Sequence, residues 1–107
     1  MKLYYVRTCM ACPEEYDVYT EEGSQVGYIR LRWGRLTLEF PKAGGDLIYE
    51  YNFDDGMKGG FDSQEERDRH LREILDVIKG QLTLDIVDYE IVEDSNWLVE
   101  KIYGEAS

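Results

Sequence analysis

The residues that most often carry out chemistry are scarce in this chain. Histidine occurs once, cysteine twice and proline twice among 107 residues. Lysine and arginine together number 12 against 23 aspartates and glutamates, a formal net charge of −11. One histidine leaves little from which to assemble an acid–base site. The motifs G-x-S-x-G, H-E-x-x-H, G-x-G-x-x-G and the P-loop do not occur in the sequence. The expectation is therefore a protein that is not an enzyme. The shortage of cations disfavours nucleic acid, whose phosphates this anion repels. No apolar run approaches the roughly 18 residues that a membrane-spanning helix needs. The opening stretch MKLYYVRTCMACPEEYD is interrupted by Arg7 and followed by acids, which makes a poor secretory leader. The expected compartment is the cytoplasm, where Cys9 and Cys12 would stay reduced.

What the chain does hold is the making of one small core. Hydrophobic residues are 43% and charged residues 33% of it, a globular composition with a charge-rich surface. The length suits a single domain over residues 1–107. Strands are expected at 2–8, 16–20, 25–33, 35–40 and 46–53, where β-branched and aromatic residues alternate with polar ones. Ile29, Leu31 and Trp33 share one parity and Val26 and Tyr28 the other, so a bulge near Gly27 is expected. Gly34 alone is too short for most hairpins; either the turn takes in Trp33 and Arg35, or the chain bends and continues. Ser63 followed by Glu66 forms a capping box, and Leu71, Ile74, Leu75 and Ile78 make one apolar stripe. These predict a helix over 63–79 that stops at Gly80. Its wet side offers Glu65–Arg69, Asp68–Arg72 and Arg72–Asp76 at i,i+4. One or two further strands are expected up to about 92, and NWLVEKIY reads as a last strand or a short helix. The class is α+β: a mostly antiparallel sheet of about five to six strands packed on one main helix.

Cys9 and Cys12 have the C-x-x-C spacing, which leaves three readings open. They could supply half of a zinc site, with His70 and a carboxylate completing it. They could form a redox dithiol, although Glu14 and Glu15 would raise a thiol pKa. They could also pack as small core residues, which carries the greatest weight and implies no cofactor. His70 stands one turn after Glu66, and a His–Glu pair accounts for it without a metal. The DDG at 54–56 lacks the register of a calcium loop.

Residues 30–35, RLRWGR, are the one basic island in an acidic sequence. Arg30 and Arg32 share a face if the segment is a strand, and Arg35 joins them only if the turn allows. Arg and Trp together suit a binding hot spot or a stacking platform. The tripeptide Trp33-Gly34-Arg35 resembles the signature of WGR domains, which implies a nucleic-acid-associated module. More broadly, "CPEEYDVY…QVGYIRLRWGRLTLEFP…GG…IYE" and the helix after it resemble small phage and prophage proteins. That resemblance implies a compact inhibitor of a host enzyme or defence system, acting in the host cytoplasm. Such inhibitors, anti-CRISPR proteins among them, are often acidic and mimic DNA.

The leading expectation is thus an acidic binding protein for a basic protein partner. Its carboxylates concentrate in three groups: Glu14, Glu15, Asp17, Glu21 and Glu22; Asp46, Glu50, Asp54 and Asp55; and Asp85, Asp88, Glu90, Glu93 and Asp94. The alternatives are a zinc-stapled module through Cys9 and Cys12, and a small-nucleotide or nucleic-acid binder through Arg30, Arg32, Trp33 and Arg35. Convergence of the acids on one face would favour mimicry of a nucleic acid. Free arginines would favour the third reading.

Overall fold

In the computed structural model the described residues are 1–9 and 13–93. Cys12 and the segment NWLVEKIY lie outside them. The strands are β1 (Lys2–Cys9), β2 (Glu14–Tyr19), β3 (Gln25–Arg32), β4 (Arg35–Phe40) and β5 (Asp46–Asn52), followed by the helix α1 (Gln64–Leu82) and a last strand β6 (Asp88–Val92). They build one six-stranded sheet in the order β5-β4-β3-β2-β1-β6. β1 to β5 form an antiparallel meander. α1 then carries the chain back across the sheet so that β6 can pair parallel with β1, as a crossover connection allows. The expected α+β class, with its mostly antiparallel sheet on one helix, is what the chain adopts.

Alternation decides which face α1 covers. Leu3 and Tyr5 of β1, Tyr16 and Val18 of β2, Ile29 and Leu31 of β3, and Leu36 and Leu38 of β4 are buried. They meet Leu71, Ile74, Leu75 and Ile78 of α1 in one core. Each such side chain contributes on the order of 1.5–3 kcal/mol by leaving water. The bulge expected near Gly27 is present, since the β2–β3 register shifts between Val18, opposite Gly27, and Tyr19, opposite Gln25.

Tyrosines fasten the helix to the sheet. The Tyr5 hydroxyl donates to the Leu71 carbonyl at 3.0 Å, Tyr49 donates to Glu73 at 2.8 Å, and Tyr89 donates to Asp68. Burial holds the Tyr5 phenol well above its ordinary pKa. The tyrosine richness of the chain is thus partly structural: each ring covers apolar area while its hydroxyl finds an acceptor.

The helix departs from expectation at both ends. Ser63 Oγ accepts from the Glu66 N–H at 3.0 Å, but the Glu66 carboxylate accepts from the Asp62 N–H rather than closing the box on Ser63. Gly80 does not stop the helix. Thr83 takes the left-handed cap (φ 53°) and its N–H bonds to the Lys79 carbonyl at 3.0 Å. The two extra residues let Leu82 pack against the core, which offsets the roughly 1 kcal/mol that a helical glycine costs. Leu82 is therefore helical rather than the first residue of a strand, and residues 84–87 run without regular pairing before β6.

Candidate functional site

The basic island folds into a tight corner. β3 and β4 are joined by Trp33 and Gly34 alone, and Arg32 pairs directly with Arg35. Both turn residues have positive φ, 55° at Trp33 and 71° at Gly34, the geometry of a type I′ turn. That turn matches strand twist but favours Asn-Gly, because an L side chain at positive φ is strained. A tryptophan at the first position is a costly choice. It is also 61% exposed. Arg35 joins Arg30 and Arg32 on one face because the turn takes two residues and does not include Arg35.

The loop between β5 and α1 locks this corner. The Gly34 N–H bonds to the Lys58 carbonyl at 2.8 Å, and the Phe53 N–H to the Gly34 carbonyl at 2.7 Å. The Lys58 ammonium is buried between Asp62 (2.8 Å) and Glu66 (3.0 Å) and lies 5.2 Å from the Phe53 ring centre. The Glu14 N–H bonds to the Gly59 carbonyl at 2.8 Å. Trp33 consequently stands beside Met57, Pro13, Gly59 and Arg32 around a cleft of about 350 Å³, with Met57 itself 75% exposed. The Arg32 guanidinium lies 5.6 Å from the Trp33 ring centre. Asp54 and Asp55 belong to the same loop, and the Asp55 carboxylate accepts from the Met57 N–H at 2.9 Å.

The remaining acids of interest are elsewhere. Asp88 and Glu90 sit on β6, three strands from β3, or roughly 14 Å at ordinary strand spacing. Glu90 pairs with Lys2 at 3.3 Å and Asp88 with Arg72 at 3.4 Å. Asp85 precedes β6, and its carbonyl accepts from the terminal amine of Met1. Glu14 points inward and is buried, whereas Glu15 points outward. Glu50 is held by Arg35. By alternation Glu15, Asp17, Glu50 and Glu90 fall on the sheet face away from α1, whereas Glu14 is turned inward and Asp54, Asp55 and Asp85 lie in loops. The three acidic groups thus share that face only in part among the described residues, and Glu50 and Glu90 are already paired with Arg35 and Lys2.

Cys9 closes β1 opposite Glu15. His70 is buried on α1 inside a box of rings, with centres 4.6 Å from Tyr51, 5.0 Å from Phe53 and 5.8 Å from Phe61. It is not bonded to Glu66, whose carboxylate goes to Lys58 and the Asp62 N–H. Among the described residues no three His, Cys, Asp or Glu side chains gather as a metal group would. The buried His70 Nδ1 atom has no hydrogen-bond partner among the described residues. Burial lowers its pKa, with Arg69 and Lys58 assisting against Glu73 and Glu66. The unfolded chain therefore takes the proton first as pH falls through about 6.5, and stability drops from there toward the lower folded pKa. His70→Phe keeps a ring in the box and removes the orphaned nitrogen. Urea titrations from pH 8 to 5 are expected to show the wild type losing ground to His70→Phe below about pH 6.5. Parallel curves would overturn this account.

Comparison with protein-family models, curated proteins and solved structures finds no match to this chain. No helix among the described residues is long and apolar enough to cross a membrane. Sequence reasoning missed Met57 and Pro13 as neighbours of Trp33. The only available signal was the glycine-rich loop DDGMKGG, which can pack closely against a turn.

Proposed function

We propose that this chain is a non-enzymatic binding protein that docks on a basic protein partner, with Trp33 as its apolar anchor. It would act as a phage-type inhibitor does, by occupying a host protein. The observation that carries the reading is Trp33 itself. A large aromatic residue is held at a backbone angle that suits asparagine or glycine, and its exposure means that burial gives little back for that strain. Such a cost points to a use outside the fold. Trp33 and Met57 side by side supply rigid and adaptable apolar contact, Arg32 lines the same cleft, and Asp55 belongs to the loop that carries Met57. The net charge of −11 speeds encounter with a basic surface. The acids on the face away from α1 are interrupted by Arg30, Arg32 and Arg35, and Glu50 and Glu90 are paired with Arg35 and Lys2, which argues for steering by net charge rather than for a carboxylate face shaped like DNA.

Trp33→Asn separates the anchor from the fold. Asn-Gly is the preferred type I′ pair, so the variant is expected to unfold at the wild-type temperature or a few degrees above it. Relief of roughly 1 kcal/mol of strain exceeds the lost Arg32–Trp33 contact of about 0.5 kcal/mol. The same variant, used as bait in a host lysate, is expected to lose the partner that the wild type retains. Capture by the wild type should weaken as salt is raised. A marked fall in melting temperature would make Trp33 structural, and undiminished capture would remove it from the interface.

A further inference from the structure

Among the described residues α1 covers one face of the sheet and no element covers the other, where the arginines stand among Glu15, Asp17, Glu50 and Glu90. Arg30 lies opposite Thr37, Arg32 opposite Arg35, and Arg35 opposite Asn52. With Trp33 at the rim, these side chains line a cleft of about 220 Å³. It is a local reversal of sign in a chain with nearly two acids for each base. Two carboxylates paired across the strands with its residues are already engaged. Glu50 receives the Arg35 guanidinium and the Asn52 amide, the latter at 3.1 Å. Glu15 faces Arg30 across the β2–β3 pair, yet its carboxylate accepts from the Tyr28 hydroxyl at 2.6 Å. Among the described residues no ion pair joins Arg30 or Arg32 to a carboxylate.

We infer that this cleft binds the phosphoryl group of a small soluble phosphate monoester, clamped by Arg30 and Arg32. Residues two apart on a strand stand about 6.6 Å apart on the same face, so two planar guanidinium forks can bracket one dianion. Each fork matches a pair of phosphoryl oxygens. A carboxylate, with one charge and two oxygens, would satisfy only one of them. Thr37 adds a hydroxyl at the floor: its bond to the Arg30 carbonyl is long, at 3.5 Å, so the hydroxyl can turn to a better acceptor. The volume suits a phosphoryl group with a small substituent. A polyanion would extend past the roughly 8–10 Å over which the arginine field outweighs the acidic body. The inference goes beyond the partner-docking reading: the two clefts share Arg32 and Trp33, but the phosphoryl contacts are those of Arg30, Arg32 and Thr37, whereas docking rests on Trp33 and Met57.

The test is titration of the full chain, followed by arginine side-chain NMR signals, with methyl phosphate, phenyl phosphate, inorganic phosphate and acetate at low ionic strength. Saturable shifts at Arg30 and Arg32 are expected with the phosphate esters, and much weaker ones with acetate. Arg30→Gln and Arg32→Gln should each weaken ester binding at least about tenfold, and Arg32→Lys should restore only part of it. Both substitutions lie on the solvent side of the sheet, and an unchanged melting temperature checks that the fold is intact. Sedimentation with phosphatidylcholine vesicles containing phosphatidic acid asks whether a lipid headgroup is the source, and no pelleting is expected. Pelleting that the Arg30→Gln/Arg32→Gln double variant abolishes would overturn the soluble ligand in favour of a lipid. Absence of saturable binding by any ester, or equal binding by the double variant, would overturn the site itself. Partner capture by Trp33→Asn reports separately on the docking reading.

Discussion

Gly34→Ala is expected to lower the free energy of unfolding by about 3 kcal/mol, a large share of the stability of a domain this size. Two effects add. At φ 71° an L side chain is strained. A methyl group there would also press into the Asp55 carbonyl oxygen and lie 3.0 Å from Gly56 Cα. Both neighbours are backbone and cannot swing aside as a flexible side chain would. The loop must retreat, and its bonds between Gly34 and Lys58 and between Phe53 and Gly34 stretch with it. Gly56→Ala is the control, because a Cβ at Gly56 meets nothing within 4 Å; it should change stability by no more than about 0.5 kcal/mol. Urea denaturation of the two variants decides the matter. Similar losses in both would mean that the close packing of the loop against the turn contributes little. Since the same loop carries Met57 to Trp33, Gly34→Ala should also lose partner capture at temperatures where it remains folded.

The parts of the molecule legible in its sequence are those set by local periodicity. The stripe of Leu71, Ile74, Leu75 and Ile78 located the helix because every fourth residue must meet the sheet. Leu36 and Leu38 located β4 by alternation in the same way. The helix end was less legible: a glycine is the common stop, yet tertiary packing of Leu82 carried the helix past Gly80. Pairing by spacing alone misassigned Glu66, whose cation arrives from Lys58 in a loop with no periodicity to reveal it. The acids fared similarly. Asp88 and Glu90 reach the far edge of the sheet through a crossover that brings residues 2–6 against 88–92, and nothing in the neighbouring sequence announces that pairing. Of the candidate site, the membership of Arg30, Arg32, Trp33 and Arg35 could be read from the sequence, but their geometry could not. Trp33 defies the residue preference of the turn it occupies, so a rule based on preference looked for a longer one.

The second large effect is expected at Glu14, the residue that ties the start of β2 to the same loop. Its side chain is buried, accepting from the Tyr16 hydroxyl and from the Phe61 N–H at 3.2 Å. Tyr16 is itself wholly buried, and burial followed by the bond to Glu14 holds its hydroxyl well above the ordinary phenol pKa. Glu14→Ala removes the acceptor and leaves two inward-facing donors without it, so a loss of about 3 kcal/mol is expected. The loss should be non-additive in a particular direction. Tyr16→Phe alone removes one bond, but combined with Glu14→Ala it removes a donor that has already lost its acceptor. The double variant should therefore be no less stable than Glu14→Ala alone, within about 0.5 kcal/mol. Glu14→Gln, which keeps an acceptor oxygen and the shape, should recover more than half of the loss. Simple additivity of the two single changes would show that the carboxylate and the phenol act separately. Because the Glu14 backbone also holds Gly59, a neighbour of Trp33 in the larger cleft, Glu14→Ala is expected to weaken partner capture as well. Glu14→Gln should leave capture close to that of the wild type, which assigns the carboxylate to holding the loop rather than to touching the partner.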